Sequence, residues 1–280
     1  MILRPMAEAD VADGCRLSAG SGWNQREEDW RLMLRLAEGR FRVAVDEGRV
    51  VATGGAVVYG RRLAWICMML VDPERRGRGI GTRILQELLA GLGDVESVGL
   101  DATPAGRPVY ARLGFEDAAS LARMGAWTAE RARPDDGAAR PIGPEALDAV
   151  LELDRQVFGA DRATVLRFAL EQAPEYAWSL EENGRVSGYC FGRHGRHSDH
   201  VGPVVAASPE GGRHLVAACL RSAGDRRCIV DAAADSPDWI AELRALGFQE
   251  ERRLTRMYHG GAKVPGRPGL QLAICGPELG

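Results

Sequence analysis

Lysine is almost absent from this 280-residue chain: Lys263 is the only one among 36 basic residues. GC-rich codon usage accounts for that bias more simply than selection against modifiable lysines. Charge of one sign is also lacking. The formal net charge is −3, which gives no indication of a broad polyanion-binding face, so nucleic acid is not an expected partner. Long apolar runs are missing too. The longest, LAWICMMLV, covers residues 63–71, far short of the roughly 20 that a membrane helix needs. The opening MILRPMAEADV has no apolar core of the signal-peptide kind. Six cysteines (15, 67, 190, 219, 228 and 275) form no C-x-x-C pair, and several sit inside apolar runs. Buried, reduced thiols in a cytoplasmic protein are expected. His194, His197 and His200 recur three apart beside Asp199, but steps of three alternate faces on a strand. A polar hairpin loop outweighs a metal site there.

What the chain does contain is a weak internal duplication. EGRV (47–50) matches NGRV (183–186), VDPERRG (71–77) meets ASPEGGR (207–213), and LDAT (100–103) meets VDAA (230–233). RLGF (112–115) meets ALGF (245–248), and LARM (121–124) meets LTRM (254–257). All five fall in one order. Between the copies, ERARPDDGAARPIGP (130–144) is charged and rich in proline, as a linker should be. The expected layout is a first domain over 1–130, a linker over 131–141 and a second domain over 142–280.

The first copy reads as a mixed α/β unit. Residues 26–39 place apolar side chains at 30, 33, 34 and 37, a helical spacing. Residues 41–60 alternate as a hairpin turning at Glu47–Gly48, and 63–70 form a buried strand. Residues 80–92 are helical, 97–103 a strand and 107–114 a short helix, with a closing strand after it. Antiparallel strands followed by strand–helix–strand–helix imply a mixed sheet flanked by helices.

Chemistry enters at VDPERRGRGIGTRIL (71–85), where Gly77, Gly79 and Gly81 alternate with arginines between a strand and a helix. A helix start exposes unpaired N–H groups and partial positive charge. Glycine lets an anion approach them, so a phosphate or pyrophosphate fits. The spacing G-x-G-x-G fits neither the P-loop nor the dinucleotide fingerprint, which weakens a nucleotide-phosphate reading.

Residues 76–81, RGRGIG, resemble the R/Q-x-x-G-x-G/A signature of the GNAT acetyltransferase superfamily, and VYARLGF (109–115) resembles its tyrosine-containing segment. GWNQREEDW (22–30) and LDATPAGRPVYARLGF (100–115) are similar to a two-domain subgroup with a divergent second GNAT-like domain. The resemblance implies tandem GNAT folds and an acetyl-CoA-dependent N-acyltransferase. Its acceptor would be the primary amine of a small molecule or peptide. It implies that Arg76, Gly77, Arg78, Gly79, Ile80, Gly81 and Thr82 hold the pyrophosphate. Backbone groups of Leu70 and Val71 would hold the pantetheine arm, with Thr103 and Arg107 beside it. Tyr110 would protonate the departing thiolate. Asp101 is the nearest carboxylate for a base, or else a structural cap of the turn after it. Trp23, Asn24 and Gln25 would line the acceptor pocket, though Asn24 could equally cap a helix, and His200 could touch the acceptor.

The second copy has Gly212, Arg213 and Ala217 where Arg76, Gly77 and Gly81 stand, and Leu243 in place of Tyr110. It is expected to keep the fold without strong cofactor binding. A homodimer is compatible with the resemblance. The rival reading is a non-catalytic acyl-CoA-binding or sensing module, which would share the glycine turn.

Overall fold

The computed structural model describes residues 1–127, 137–262 and 264–280. Much of the expected linker therefore lies outside the described residues. The first copy runs β1 (Ile2–Pro5), α1 (Val11–Gly20), α2 (Glu27–Leu36), β2 (Phe41–Asp46), β3 (Arg49–Tyr59), β4 (Leu63–Val71), α3 (Ile80–Ala90), β5 (Val98–Ala102), α4 (Arg107–Ala111) and β6 (Phe115–Trp127). The second repeats that order. It runs β7 (Arg140–Pro141), α5 (Pro144–Phe158), α6 (Ala163–Gln172), β8 (Trp178–Glu182), β9 (Arg185–Arg193), β10 (Asp199–Val205), α7 (Pro209–Ser222), β11 (Arg227–Ala233), α8 (Pro237–Ala245) and β12 (Gln249–His259). A short β13 (Gln271–Ala273) has no counterpart in the first copy. Strand β7 pairs with β8, so Arg140 and Pro141 belong to the second copy's sheet rather than to the linker.

Local chemistry explains the elements that position the site. The β2–β3 turn puts Glu47 and Gly48 at φ 51° and 79°, the left-handed pair that matches strand twist in a tight hairpin. Helix α2 is stitched at its start by Asp29, whose carboxylate accepts from the Arg26 N–H at 2.8 Å, and it buries Trp30, Leu32 and Met33. Helix α3 buries Ile80, Ile84, Leu85 and Leu88, the one-sided stripe its periodicity predicts. These pack with Ala56, Ile66 and Leu100 on one face of the sheet, while Trp30, Phe41 and Trp65 pack on the other. All six cysteines are free.

The two copies share one thirteen-stranded sheet, ordered β1-β2-β3-β4-β5-β12-β6-β11-β13-β10-β9-β8-β7. The last strand of each copy has crossed to the other. Strand β12 lies against β5, with Arg256 opposite Asp101. Strand β6 lies against β11, with Arg123 opposite Asp231. The duplicated aspartates and arginines therefore pair across copies. Arg256 donates to both oxygens of Asp101 at 2.9 Å, and Arg123 to those of Asp231 at 2.8 and 2.6 Å. Burial works against ionisation of Asp231, but Arg123 and a hydrogen bond from His200 outweigh it and hold the carboxyl well below the usual range.

Removing one partner of such a pair strands a buried charge. Arg256→Met, which keeps side-chain length but leaves Asp101 uncompensated, should cost about 3–5 kcal/mol. Urea unfolding of the variant beside the parent protein reads this directly. A midpoint unchanged from the parent would show that the crossed pair does not hold the copies together.

Candidate functional site

Strands β4 and β5 run parallel for only two residue pairs, Ala64 with Val98 and Trp65 with Gly99. Beyond that point β5 pairs with β12, while β4 continues along β3 alone. The register between β3 and β4 slips there: Thr53 faces Leu70, and Gly55 faces Cys67. Met68 and Met69 thus oppose Gly54 alone, a bulge with Met68 at φ 51°. Thr53 locks it by donating its hydroxyl proton to the Met68 carbonyl at 2.8 Å. The far edge of β4, through Leu70 and Val71, is left without a partner strand among the described residues.

That edge leads into the glycine turn. Asp72 accepts from the Glu74 N–H, and the Arg76 Nε donates to the Val71 carbonyl at 3.1 Å. Gly77 and Gly79 both sit at φ 75°, a conformation that costs a residue with a Cβ about 1–2 kcal/mol. Gly79 is the N-cap of α3, with no side chain capping the helix and no acidic residue in its first turn. Nothing lies within 4 Å of a Cβ built on either glycine. Arg78 and Arg76 stand exposed beside this uncovered positive end, with Ile80 buried beneath and Gly81 against Val71. Thr82 lies on the same first turn.

The open edge also walls a cavity of about 150 Å³. Tyr110 on α4, Thr103, Cys67 and Met68 line it from the first copy. The Thr103 hydroxyl accepts from the Gly106 N–H at 3.1 Å, which shapes the turn into α4. Tyr110 packs edge-on against Phe115, with ring centroids 6.0 Å apart. Burial, with the Cys67 thiol adding to it, pushes the Tyr110 phenol up to about 12. It is therefore a neutral proton donor across the physiological range.

Several expected residues have other roles. Asp101 lines the cavity, yet both its oxygens are spent on Arg256; it is a structural carboxylate, not a free base. Burial raises its carboxyl even with that arginine beside it. His200 does not reach the cavity: it is 1% exposed and bonds Asp231 at 3.1 Å. Arg107 is held by Asp117 in an exposed ion pair, so a phosphate there would compete with that carboxylate. Asn24 lines the cavity with Trp23 and Gln25, but it is not a helix cap and its amide is already engaged. Its side chain donates to the Ser198 carbonyl and accepts from the His197 and Ser198 N–H groups, tying the first copy to the β9–β10 loop. Trp23 and Gln25 do face the cavity, and the Gln25 Oε1 is buried with no hydrogen-bond partner.

The crossed strands and the second copy's tail supply walls that the sequence reading missed. Arg123, Arg252 and Leu254 come from the exchanged strands, and Pro277 and Glu278 from the C-terminal segment. Glu278 is 3% exposed. Its Oε1 pairs with Arg193, which Asp29 also holds at 2.8 Å, and its Oε2 is buried without a partner. No periodicity or motif marks that glutamate, because its place depends on where the tail crosses.

The second copy's own cleft is closed. Strands β10 and β11 also run parallel for two pairs, Asp199 with Cys228 and His200 with Ile229, and then part. Strand β13 fills the gap, pairing with both. Helix α7 already begins at Pro209, the repeat's match to Pro73, where the first copy has its glycine turn. Ser208 caps it by accepting from the Gly211 N–H.

An Acetyltransferase (GNAT) domain is matched twice along the chain, over residues 37–117 and 150–272. The chain belongs to the GNAT acetyltransferases. Each copy described above carries one of these matches, and the molecule is a tandem GNAT enzyme. "Uncharacterized N-acetyltransferase YitH" of Bacillus subtilis is 22% identical over 98% of this chain and 96% of its own length. "Holothin acyltransferase" of a Pseudoalteromonas species is 24% identical over 92% and 87%. A solved Pyrococcus horikoshii protein shares the fold with a TM-score of 0.82 at 22% identity, covering 100% of this chain and 95% of that one. A tandem GNAT protein from the clavulanic acid pathway shares it at 0.63 and 19%, covering 92% and 97%. No helix among the described residues is long and apolar enough to cross a membrane. As an enzyme of this superfamily, the protein is a transferase rather than a sensing module alone.

Asn24→Ala removes three hydrogen bonds, two of them buried, from the loop at 197–198. It should destabilise the protein by roughly 1–3 kcal/mol in chemical denaturation. Acyl-CoA affinity, measured by calorimetry, should stay unchanged; weaker cofactor binding would contradict a purely structural role.

Proposed function

We propose that the protein transfers the acetyl group of acetyl-CoA to the primary amine of a small molecule or peptide, by direct attack within a ternary complex. One observation carries this reading: the unpaired edge of β4 runs without a break from the Tyr110 cavity to the glycine turn at the start of α3. The residues present fit such a donor. The α3 N–H groups and the Arg76 and Arg78 guanidiniums suit the pyrophosphate, Leu70 and Val71 the pantetheine amides, and Thr103 the arm near the sulfur. When bound, acetyl-CoA supplies an acyl thioester whose C–S bond breaks as the new C–N bond forms.

The chain's own groups handle the protons. An ammonium that becomes an amide loses two protons in all. One ends on the departing sulfur, and the Tyr110 Oη is the donor facing the cavity; the other passes to solvent. A thiol with a pKa of ~8.5 already leaves fairly well, so Tyr110 makes only a modest contribution.

Acetyl-CoA should bind the parent protein in calorimetry and fail to bind Gly79→Trp, whose indole would occupy the open space above the helix start. Absence of binding to the parent protein sinks the proposal. Tyr110→Phe should lower kcat by roughly 10- to 100-fold, the weaker end of general-acid effects, with acetyl-CoA affinity intact. The phenol stays protonated up to about 12. Ionisation of Tyr110 should therefore cause no fall in kcat as pH rises from 7 to ~10, where an unshifted tyrosine would begin to titrate. An alkaline limb in that window that disappears in Tyr110→Phe would contradict the assignment.

A further inference from the structure

Charges around the cavity cancel except in two places. Asp101 is neutralised by Arg256, and Arg123 by Asp231. Arg227 holds Glu251, and Arg253 holds Glu250. What is left on one side is Asp29–Arg193–Glu278, a buried trio of two carboxylates and one guanidinium, one positive charge short of neutrality. Its unpaired atom, the Glu278 Oε2, belongs to a residue that lines the cavity. Gln25, whose Oε1 is also buried without a partner, lines the same cavity. Also left is Arg252, which lines the same cavity and whose guanidinium makes no ion pair or hydrogen bond among the described residues, the carboxylates of Asp231, Glu251 and Glu278 acting on it only through space. Arg252 and Glu278 line one cavity without forming an ion pair with each other.

A buried carboxylate oxygen and a buried amide oxygen with no donors call for a group that has several N–H donors and a positive charge. An ammonium answers both. A free guanidinium at the same cavity calls for an anion, best a planar carboxylate that accepts two parallel bonds. We infer that the acceptor is an amino acid, a single molecule whose ammonium is received by Glu278 and Gln25 and whose carboxylate is received by Arg252. This rests on the acyl-transfer reading above and narrows its acceptor. A plain amine would leave Arg252 unmatched, and a dianion would face Glu278.

The test uses the full-length enzyme, acetyl-CoA and matched triplets: an amino acid, its carboxamide and its decarboxylated amine, over a series with growing separation between amine and carboxylate. Release of the CoA thiol is followed kinetically, and binding of each compound in the presence of CoA is followed by calorimetry. The free acid of at least one triplet should surpass its two analogues by roughly 10- to 100-fold in kcat/KM and in affinity, the worth of a charge-assisted hydrogen bond. Arg252→Ala, at an exposed position, should erase that preference by raising KM with kcat kept. Its acetyl-CoA affinity should equal that of the parent. Glu278→Gln should weaken all three compounds alike; if it fails to fold, the Arg252 arm decides. Equal use of acid, amide and amine overturns the inference, as does a preference that survives Arg252→Ala or the turnover of no triplet member despite bound acetyl-CoA. Loss of acetyl-CoA binding in the parent protein would instead overturn the acyl-transfer reading itself.

Discussion

Backbone N–H and C=O groups on strands that part must find other partners, and this molecule meets that demand in two ways. Both parallel pairs, β4 with β5 and β10 with β11, separate after two residues. In the second copy the gap is filled from within: Ala273 pairs with Val204 and Ala232, and the Ile274 N–H donates to the Asp231 carbonyl. In the first copy no strand of the described chain fills it, and a bulge pinned by Thr53 holds it open. Amide groups of a pantetheine arm are a chemical match for that edge. The site is thus a deficit of backbone pairing that the fold sustains, and the closed second cleft shows what the same geometry becomes when the chain satisfies it.

Strand exchange makes the two copies one folding unit. Neither copy's sheet is complete alone, since β5 needs β12 and β11 needs β6. The crossed ion pairs reinforce the register. A buried aspartate opposite the wrong residue would face a desolvation penalty of several kcal/mol with no guanidinium to offset it. A slip of one residue in β12 or β6 would also turn every side chain to the other face. Specific pairing, rather than net stabilisation, is the clearest consequence of burying charge here.

Local pattern made much of the first copy legible. Alternation in β2 and β3, the turn at Glu47–Gly48 and the apolar stripe of α3 all follow from side-chain period and turn chemistry. Helix α1 escaped notice because its buried face is Val11, Gly14, Leu17 and Ser18, two of which are too small to mark a stripe. The duplication exposed Asp101 with Asp231 and Arg123 with Arg256 as equivalent residues. It could not show that each pairs across the copies, since repeat matching is blind to strand exchange. Hence Asp101 read as a candidate base. Asn24 does line the cavity, yet no local pattern shows that its amide bonds residues about 174 positions away. Glu278 carried no signal at all: a carboxylate becomes unusual only when a tail buries it.

The degenerate copy therefore contributes more than support. Having lost its glycine turn, its counterpart to Tyr110 and its open cleft, it uses the vacated slot as a conduit. Strand β13 runs through it, and the tail emerges against the first copy. There the Tyr59 hydroxyl bonds the Leu279 carbonyl and the Trp65 indole bonds the Pro277 carbonyl, while Arg162 of the second copy bonds the Gly280 carbonyl. Those anchors fix Glu278 at the cavity, while β12 brings Arg252 to the same space. In the proposed reaction, donor-side residues come from the first copy, and the uncancelled charges of Glu278 and Arg252 that would face the acceptor come from the second. Such a division lets the acceptor wall change without disturbing the turn at Gly79 or the bulge at Met68, which gives a physical reason for a tandem enzyme to retain a copy that has lost its own cofactor cleft.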